Sequence, residues 1–256
     1  MAYEHIIVER DGAYVTLTLN RPQRRNALSL ALMDEVIDAL GSTGRSDALG
    51  IVVAGNGPVF CAGHDFADMV GADLVAMRQL LKQCTTMMEL LQAVPQVVVA
   101  RVHGLATAAG CQLVASCDLA VAAANAAFAL PGGRGGWFCH TPLVAVARNI
   151  GRKHALEMAF TGDPIDAATA AGWGLVNRVV PPAELATAAL DLLRRATRGT
   201  GDAKGLGKAG FYAQVDLDQH KAYAHAVELM ASTSQTGPAQ ERMKAFVEKR
   251  APRYRA

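Results

Sequence analysis

The chemistry this chain could perform is concentrated in two short segments rich in small residues. One is Phe60-Cys61-Ala62-Gly63-His64-Asp65-Phe66; the other is Gly104-Leu105-Ala106-Thr107-Ala108-Ala109-Gly110-Cys111-Gln112-Leu113. In the second, Ala108, Ala109 and Gly110 leave the backbone open to close approach, and a helix starting there would aim N–H groups and the positive end of its dipole at a ligand. A carbonyl under attack, or losing a proton beside it, gathers negative charge on its oxygen. One preorganised N–H donor is worth about 3–4 kcal/mol to such a transition state. Read alone, Ala108-Ala109-Gly110 serves equally well as a tight packing turn. Gln112 can orient a water or a carbonyl through its amide, but it has no titratable proton near neutral pH. In Leu130-Pro131-Gly132-Gly133-Arg134-Gly135-Gly136, Gly132 offers no side chain at all.

Other polar groups carry a chemical and a plainer reading side by side. His140 can exchange protons near pH 7. Equally, His140-Thr141-Pro142 reads as a helix start, with Thr141 capping and Pro142 first in the helix. Cys139 beside it makes no Cys–His nucleophile pair, because adjacent residues on a helix or strand point apart. Asp65 and Asp68 read as loop and helix-start residues, so no metal is expected. Trp137 and Phe138 could line an apolar pocket or pack in the core.

These segments need elements to hold them. Residues 6–8 and 15–19 read as a hairpin around Asp11-Gly12. Ser29 reads as the N-cap of a helix to about Leu40, with Leu32, Val36 and Leu40 on one face. A buried strand at 51–54 is followed by a long loop, 55–71, and a helix over 74–93 that Pro95 ends. A strand at 96–102, a helix near 108–116 and a strand at 119–121 complete an alternation that predicts an α/β fold with ligand loops at strand ends. Beyond Pro182 only helical patterns remain, and Arg198-Gly199-Thr200-Gly201 is the candidate hinge into a helical subdomain.

Composition excludes several classes of function. With 51% hydrophobic and 19% charged residues over 256 positions, the chain can bury one core, or one core with a small appendage. Pro95 and Arg101 interrupt the longest apolar candidate, so no membrane span is expected. Glu4, Glu9 and Asp11 fit neither a secretory signal nor a transit peptide, and a cytoplasmic address is expected. The 5 cysteines are odd in number and lack C-x-x-C spacing, which argues for reduced, packed thiols. From Arg194 onward there are 12 Lys/Arg against 6 Asp/Glu, a basic balance that suits an anionic ligand or simply solvated helix faces. The cations are spread out and not interleaved with aromatics, which argues against nucleic acid.

Taken in order, Asn20-Arg21-Pro22 with Asn26-Ala27-Leu28, the two small-residue segments, Ser116-Cys117-Asp118, Phe160-Thr161-Gly162, Ala171-Gly172-Trp173-Gly174-Leu175-Val176 and Phe246-Val247-Glu248-Lys249-Arg250 resemble the crotonase superfamily. This is the enoyl-CoA hydratase/isomerase family, and the resemblance runs over essentially the whole chain. Ala-Ala-Gly-Cys-Gln with Gly-His-Asp is most similar to its enoyl-CoA hydratase domain-containing protein 3 branch. The resemblance implies an α/β spiral of ββα units over residues 1–197, a C-terminal helical subdomain over 198–256, and assembly as a homotrimer or dimer of trimers. It implies an acyl-CoA thioester as substrate or ligand, with no separate cofactor. The oxyanion donors would be the N–H groups of His64 and Ala109, with the His64 ring pointing to solvent or a neighbour. Arg24, Arg25, Ala62, His64, Phe66 and Lys249 would contact CoA.

In that family a hydratase uses two glutamates, each proton transfer being worth typically 10²–10⁴-fold. Here their positions correspond to Gln112 and Gly132, so ordinary hydration should be very slow. His140 lies near where other branches of the family place a catalytic carboxylate, and is the first choice for a replacement base. The expectation is an enzyme working through a CoA-thioester enolate. The alternatives are a non-catalytic acyl-CoA-binding or sensing protein and a CoA-thioester hydrolase.

Overall fold

The computed structural model describes residues 3–253, and the chain divides between Thr197 and Arg198 into two compact units. The first unit runs β1 (Ile6–Asp11), β2 (Tyr14–Leu19), α1 (Leu30–Gly44), β3 (Gly50–Gly55), β4 (Val59–Cys61), α2 (Leu74–Ala93), β5 (Val97–Val102), β6 (Leu105–Thr107), α3 (Ala109–Ser116), β7 (Leu119–Ala123), β8 (Ala127–Ala129), α4 (His140–Asn149), α5 (Arg152–Thr161), β9 (Ile165–Asp166), α6 (Ala167–Trp173), β10 (Arg178–Val180) and α7 (Leu185–Ala196). The second unit is helical, with α8 (Gly201–Gln214), α9 (Gln219–Ser234) and α10 (Gly237–Val247).

Three successive ββα units, β3-β4-α2, β5-β6-α3 and β7-β8-α4, build the first unit. Each gives its longer strand to one sheet, ordered β1-β2-β3-β5-β7-β10, and its shorter strand to another, ordered β4-β6-β8-β9. The long strands of these units are parallel and buried on both faces, which is why 51–54 and 97–100 read as unbroken apolar runs. Alternation along β5 sends Val98, Ala100 and Val102 into the large core shared with α1 to α3. Val99 faces a smaller cluster closed by Leu185, Ala189 and Leu193 of α7.

Helix ends follow the expected chemistry. The Ser29 side chain accepts from Leu32 N at 3.2 Å, and Asp73 does the same for Ala76 N at 2.8 Å, each pairing an N–H that the first turn leaves open. α1 runs to Gly44, beyond the expected Leu40. The long loop after β3 contains β4 and a single 3₁₀ turn, Phe66–Asp68. The second sheet escapes the sequence reading because strands of two or three residues are too short to show a period of two.

Candidate functional site

The two small-residue loops leave adjacent strands, since β4 and β6 pair in parallel with Val59 opposite Leu105 and Cys61 opposite Ala106. The first loop is zipped to the segment before α1. Ala62 N donates to Arg25 O (3.1 Å), Leu28 N to Gly63 O (2.7 Å) and Asp65 N to Leu28 O (3.0 Å). Leu28 thus bonds Gly63 and Asp65 on either side of His64, a parallel bridge that leaves the His64 N–H pointing away from the ladder. The second loop meets it at Gly63, whose φ is +89°. A Cβ on Gly63 would lie 3.0 Å from Ala108 Cβ and 3.3 Å from Ala109 N. Glycine is therefore required here on two grounds, backbone sign and space.

Ala109 opens α3, and its N–H belongs to the first turn, which has no partner within the helix. Ala108 before it has φ 51° and ψ −120°, a conformation that costs a non-glycine residue about 1–3 kcal/mol. A Cβ at Gly110 would collide with the Cys61 carbonyl oxygen, so the helix start abuts the end of β4. Strain at Ala108 and tight packing at Gly110 fix the Ala109 amide beside the His64 loop.

Asn26 is the fastener beneath this arrangement. It is fully buried with a left-handed φ of 53°, which asparagine tolerates better than most residues. Its Nδ2 donates to the carbonyls of Asn56 (2.8 Å), Val59 (2.9 Å) and Phe60 (3.1 Å). Its Oδ1 accepts from Arg21 N at 2.9 Å. Asp65 does similar work on the other side, accepting from Arg21 Nη1 (3.1 Å), Arg24 Nη2 (2.9 Å) and Ala67 N (3.1 Å). Burial opposes its carboxylate, but the bonds from Arg24, Ala67 and Arg21 outweigh that and hold its pKa below the ordinary value.

Arg24, Arg25, Ala62, His64, Asp65 and Phe66 line a cleft of about 330 Å³. Five of these stand among the residues expected to contact CoA. Lys249, the sixth, lies in the second unit just beyond α10 with φ 54°. Of the expected alternatives for the His64 ring, solvent or a neighbour, the nitrogens face protein and not solvent. Both ring nitrogens are buried without a hydrogen-bond partner. Burial lowers its pKa, and the nearby Leu28 carbonyl opposes that only in part.

Gln112 projects from the first turn of α3, 5% exposed, with Oε1 buried and unpaired. Gly132 sits in a turn closed on itself: its N–H donates to Cys139 Sγ at 3.3 Å, and a Cβ there would strike the Trp137 carbonyl oxygen and lie 2.8 Å from Cys139 Sγ. His140 is exposed, its ring centroid 5.2 Å from that of Phe138, and it does not line the cleft. α4 begins at His140 itself, after Cys139; the expected cap at Thr141 is not formed. Pro142, third in the helix, still loses nothing, because its missing N–H belongs to the unpartnered first turn. Burial pushes the Cys61 and Cys111 thiols up to about 12, which leaves them poor nucleophiles. Among the described residues, no three His, Cys, Asp or Glu side chains gather as metal ligands would.

The enoyl-CoA hydratase/isomerase family model matches residues 9–256. The chain belongs to this family, and its fold is the crotonase fold. Within the family it is 42% identical over 246 residues to enoyl-CoA hydratase domain-containing protein 3, mitochondrial, of Rattus norvegicus, covering 95% of this chain and 82% of that protein. The crystal structure of an enoyl-CoA hydratase from Mycobacterium smegmatis has a TM-score of 0.95 at 44% identity, over 98% of this chain and 99% of that one. Human enoyl coenzyme A hydratase domain-containing protein 3 gives a TM-score of 0.94 at 38% identity, over 98% of this chain and all of that one (100%).

Proposed function

We propose that this protein binds acyl-CoA thioesters, with the thioester oxygen between the N–H groups of His64 and Ala109 and the CoA portion along the cleft of Arg24, Arg25, Ala62 and Phe66. The observation that carries this reading is the approach of Gly63 to Ala109, a Cβ at Gly63 falling 3.3 Å from the Ala109 amide. Two loops so joined can present a pair of fixed donors to one oxygen. Arg24 and Arg25 supply positive charge for phosphates, and Lys249 belongs to the same set.

The chemistry that fits these donors is formation or capture of a CoA-thioester enolate. Ordinary hydration is disfavoured, because Gln112 cannot serve as an acid or base and Gly132 carries nothing. Proton transfer then falls to His140 or to a bound water. The second reading, a non-catalytic acyl-CoA-binding or sensing protein, is favoured by the same two positions together with the exposed setting of His140 on Phe138. Incubation in deuterium oxide with a panel of enoyl-, acyl- and malonyl-type CoA esters, followed by mass spectrometry, separates the two, because an enolate reprotonated there gains deuterium. A new mass supports the enzyme. Saturable binding without one supports the sensor, and absence of saturable binding contradicts both.

The reading extends to an assembly of three subunits, or two such trimers, and to a cytoplasmic address without nucleic-acid or membrane partners. The mammalian relative is named mitochondrial, so cell fractionation is the test of address. Sedimentation velocity tests the assembly. Among the described residues, no helix is long and apolar enough to cross a membrane.

A further inference from the structure

We propose that the His64 imidazole reads the ligand directly: when a CoA thioester occupies the cleft, the ring hydrogen-bonds a group of that ligand able both to donate and to accept, an amide or a hydroxyl. The inference rests on the acyl-CoA reading and adds a role for a side chain that the family likeness uses only through its backbone.

Both nitrogens of His64 are buried and unpaired, and the residue lines the cleft. A buried polar atom without a partner costs about 1–3 kcal/mol, and folded proteins keep few of them. Neither ring nitrogen is paired within the described residues, and the neighbouring acceptors already carry hydrogen bonds. The Leu28 carbonyl takes the Asp65 N–H and the Gly63 carbonyl takes the Leu28 N–H. The Asp65 carboxylate, which also lines the cleft, already accepts from Arg21, Arg24 and the Ala67 N–H. Because both nitrogens are buried, the ring turns toward the cleft it lines when a ligand there supplies that partner.

The type of partner follows from the ring. A neutral imidazole presents one donor and one acceptor. Burial favours that neutral form. An amide or a hydroxyl matches such a ring, whereas phosphate and carboxylate supply only acceptors. Every CoA thioester brings amides in its pantetheine arm, and a 3-hydroxyacyl group brings a hydroxyl. Both sources share the same complementarity.

Calorimetric titration of the full chain with butanoyl-CoA and with 3-hydroxybutanoyl-CoA tests this, using wild type, His64→Phe and His64→Asn. Phenylalanine keeps the ring volume without its nitrogens; asparagine keeps a donor and an acceptor. The expected result is roughly tenfold weaker binding by His64→Phe and recovery of most of that loss by His64→Asn. Weakening toward both thioesters assigns the contact to a CoA amide; weakening toward the hydroxy ester alone assigns it to the acyl hydroxyl. In ¹⁵N-histidine-labelled wild type, saturation with the better ligand should move at least one ring-nitrogen resonance of His64, a readout that needs no variant to fold. Wild-type saturation with an unmoved resonance, or with His64→Phe binding both esters within about twofold of wild type, overturns the proposal. If wild type binds neither ester, the acyl-CoA reading itself falls and this proposal falls with it.

Discussion

Gly132 has no room for a side chain, and this changes how the proposed loss of the two carboxylates should be probed. A Glu at this position must first displace the Trp137 carbonyl and Cys139 Sγ, so Gly132→Ala alone is expected to destabilise the fold by about 1–3 kcal/mol, read from chemical unfolding. Wild-type stability in that variant would show that the turn from Gly132 to Cys139 yields easily. Gln112 is the cleaner site, because glutamate nearly matches glutamine in volume. Gly63→Ala should also be costly, since a Cβ meets Ala108 Cβ at 3.0 Å with φ +89°; a loss of about 1–3 kcal/mol and of thioester binding is expected. The sequence displayed all of these residues, and the family resemblance of the two segments, not residue type alone, implied that Gly63 and Ala109 lie near each other, as they do. It did not display the turn around Gly132, because collision with a distant carbonyl leaves no trace in residue type. Nor did it reveal that the His64 ring is buried, since only the path of the neighbouring segment before α1 decides that.

Elements hold the site through a few polar fasteners, and Asn26 is foremost among them. Asn26→Ala leaves three carbonyls at the end of β3 and along β4 without their donor. The expected loss is roughly 2–4 kcal/mol, with hydrogen exchange accelerated first in residues 56–65; uniform loss across the unit would count against so local a role. Acid acts on the same segment. The folded pKa of His64 lies below its ordinary 6.5, so between those two values the unfolded chain binds a proton that the fold does not. Its contribution to stability is present in full above 6.5 and is lost as pH falls through and below it. Thermal unfolding at about pH 7.5 and 5.5 should therefore show a smaller acid loss in His64→Phe than in wild type. The long elements were legible because α1, α2 and the parallel strands carry strong apolar periods or runs. The second sheet was not, although it is what sets β4 beside β6 and so brings the two loops together.

At the scale of the molecule, the spiral of ββα units supplies a rigid frame, the second unit supplies a basic helical tail, and the resemblance in ordered motifs reached both. What composition and periodicity supported without the resemblance was coarser: one core, an α/β alternation and excess positive charge late in the chain. That charge predicts that binding of a medium-chain acyl-CoA weakens as salt rises from about 0.05 to 0.5 M, because exposed cations and phosphates are screened over a Debye length of about 10 Å at 0.1 M. Binding indifferent to salt would remove Arg24, Arg25 and Lys249 from the account of CoA recognition.

The central claim is that paired oxyanion donors persist here without the acid–base pair of a hydratase. Its most direct test is the rate at which wild-type protein removes the conjugated enoyl-thioester absorbance of crotonyl-CoA. The account predicts turnover orders of magnitude below the roughly 10 to 10³ per second of ordinary enzymes, alongside saturable binding of the same ester. A wild-type rate within that range would contradict it, showing either that Gln112 and Gly132 do not stand at the two proton-transfer positions or that other groups in the site perform both transfers.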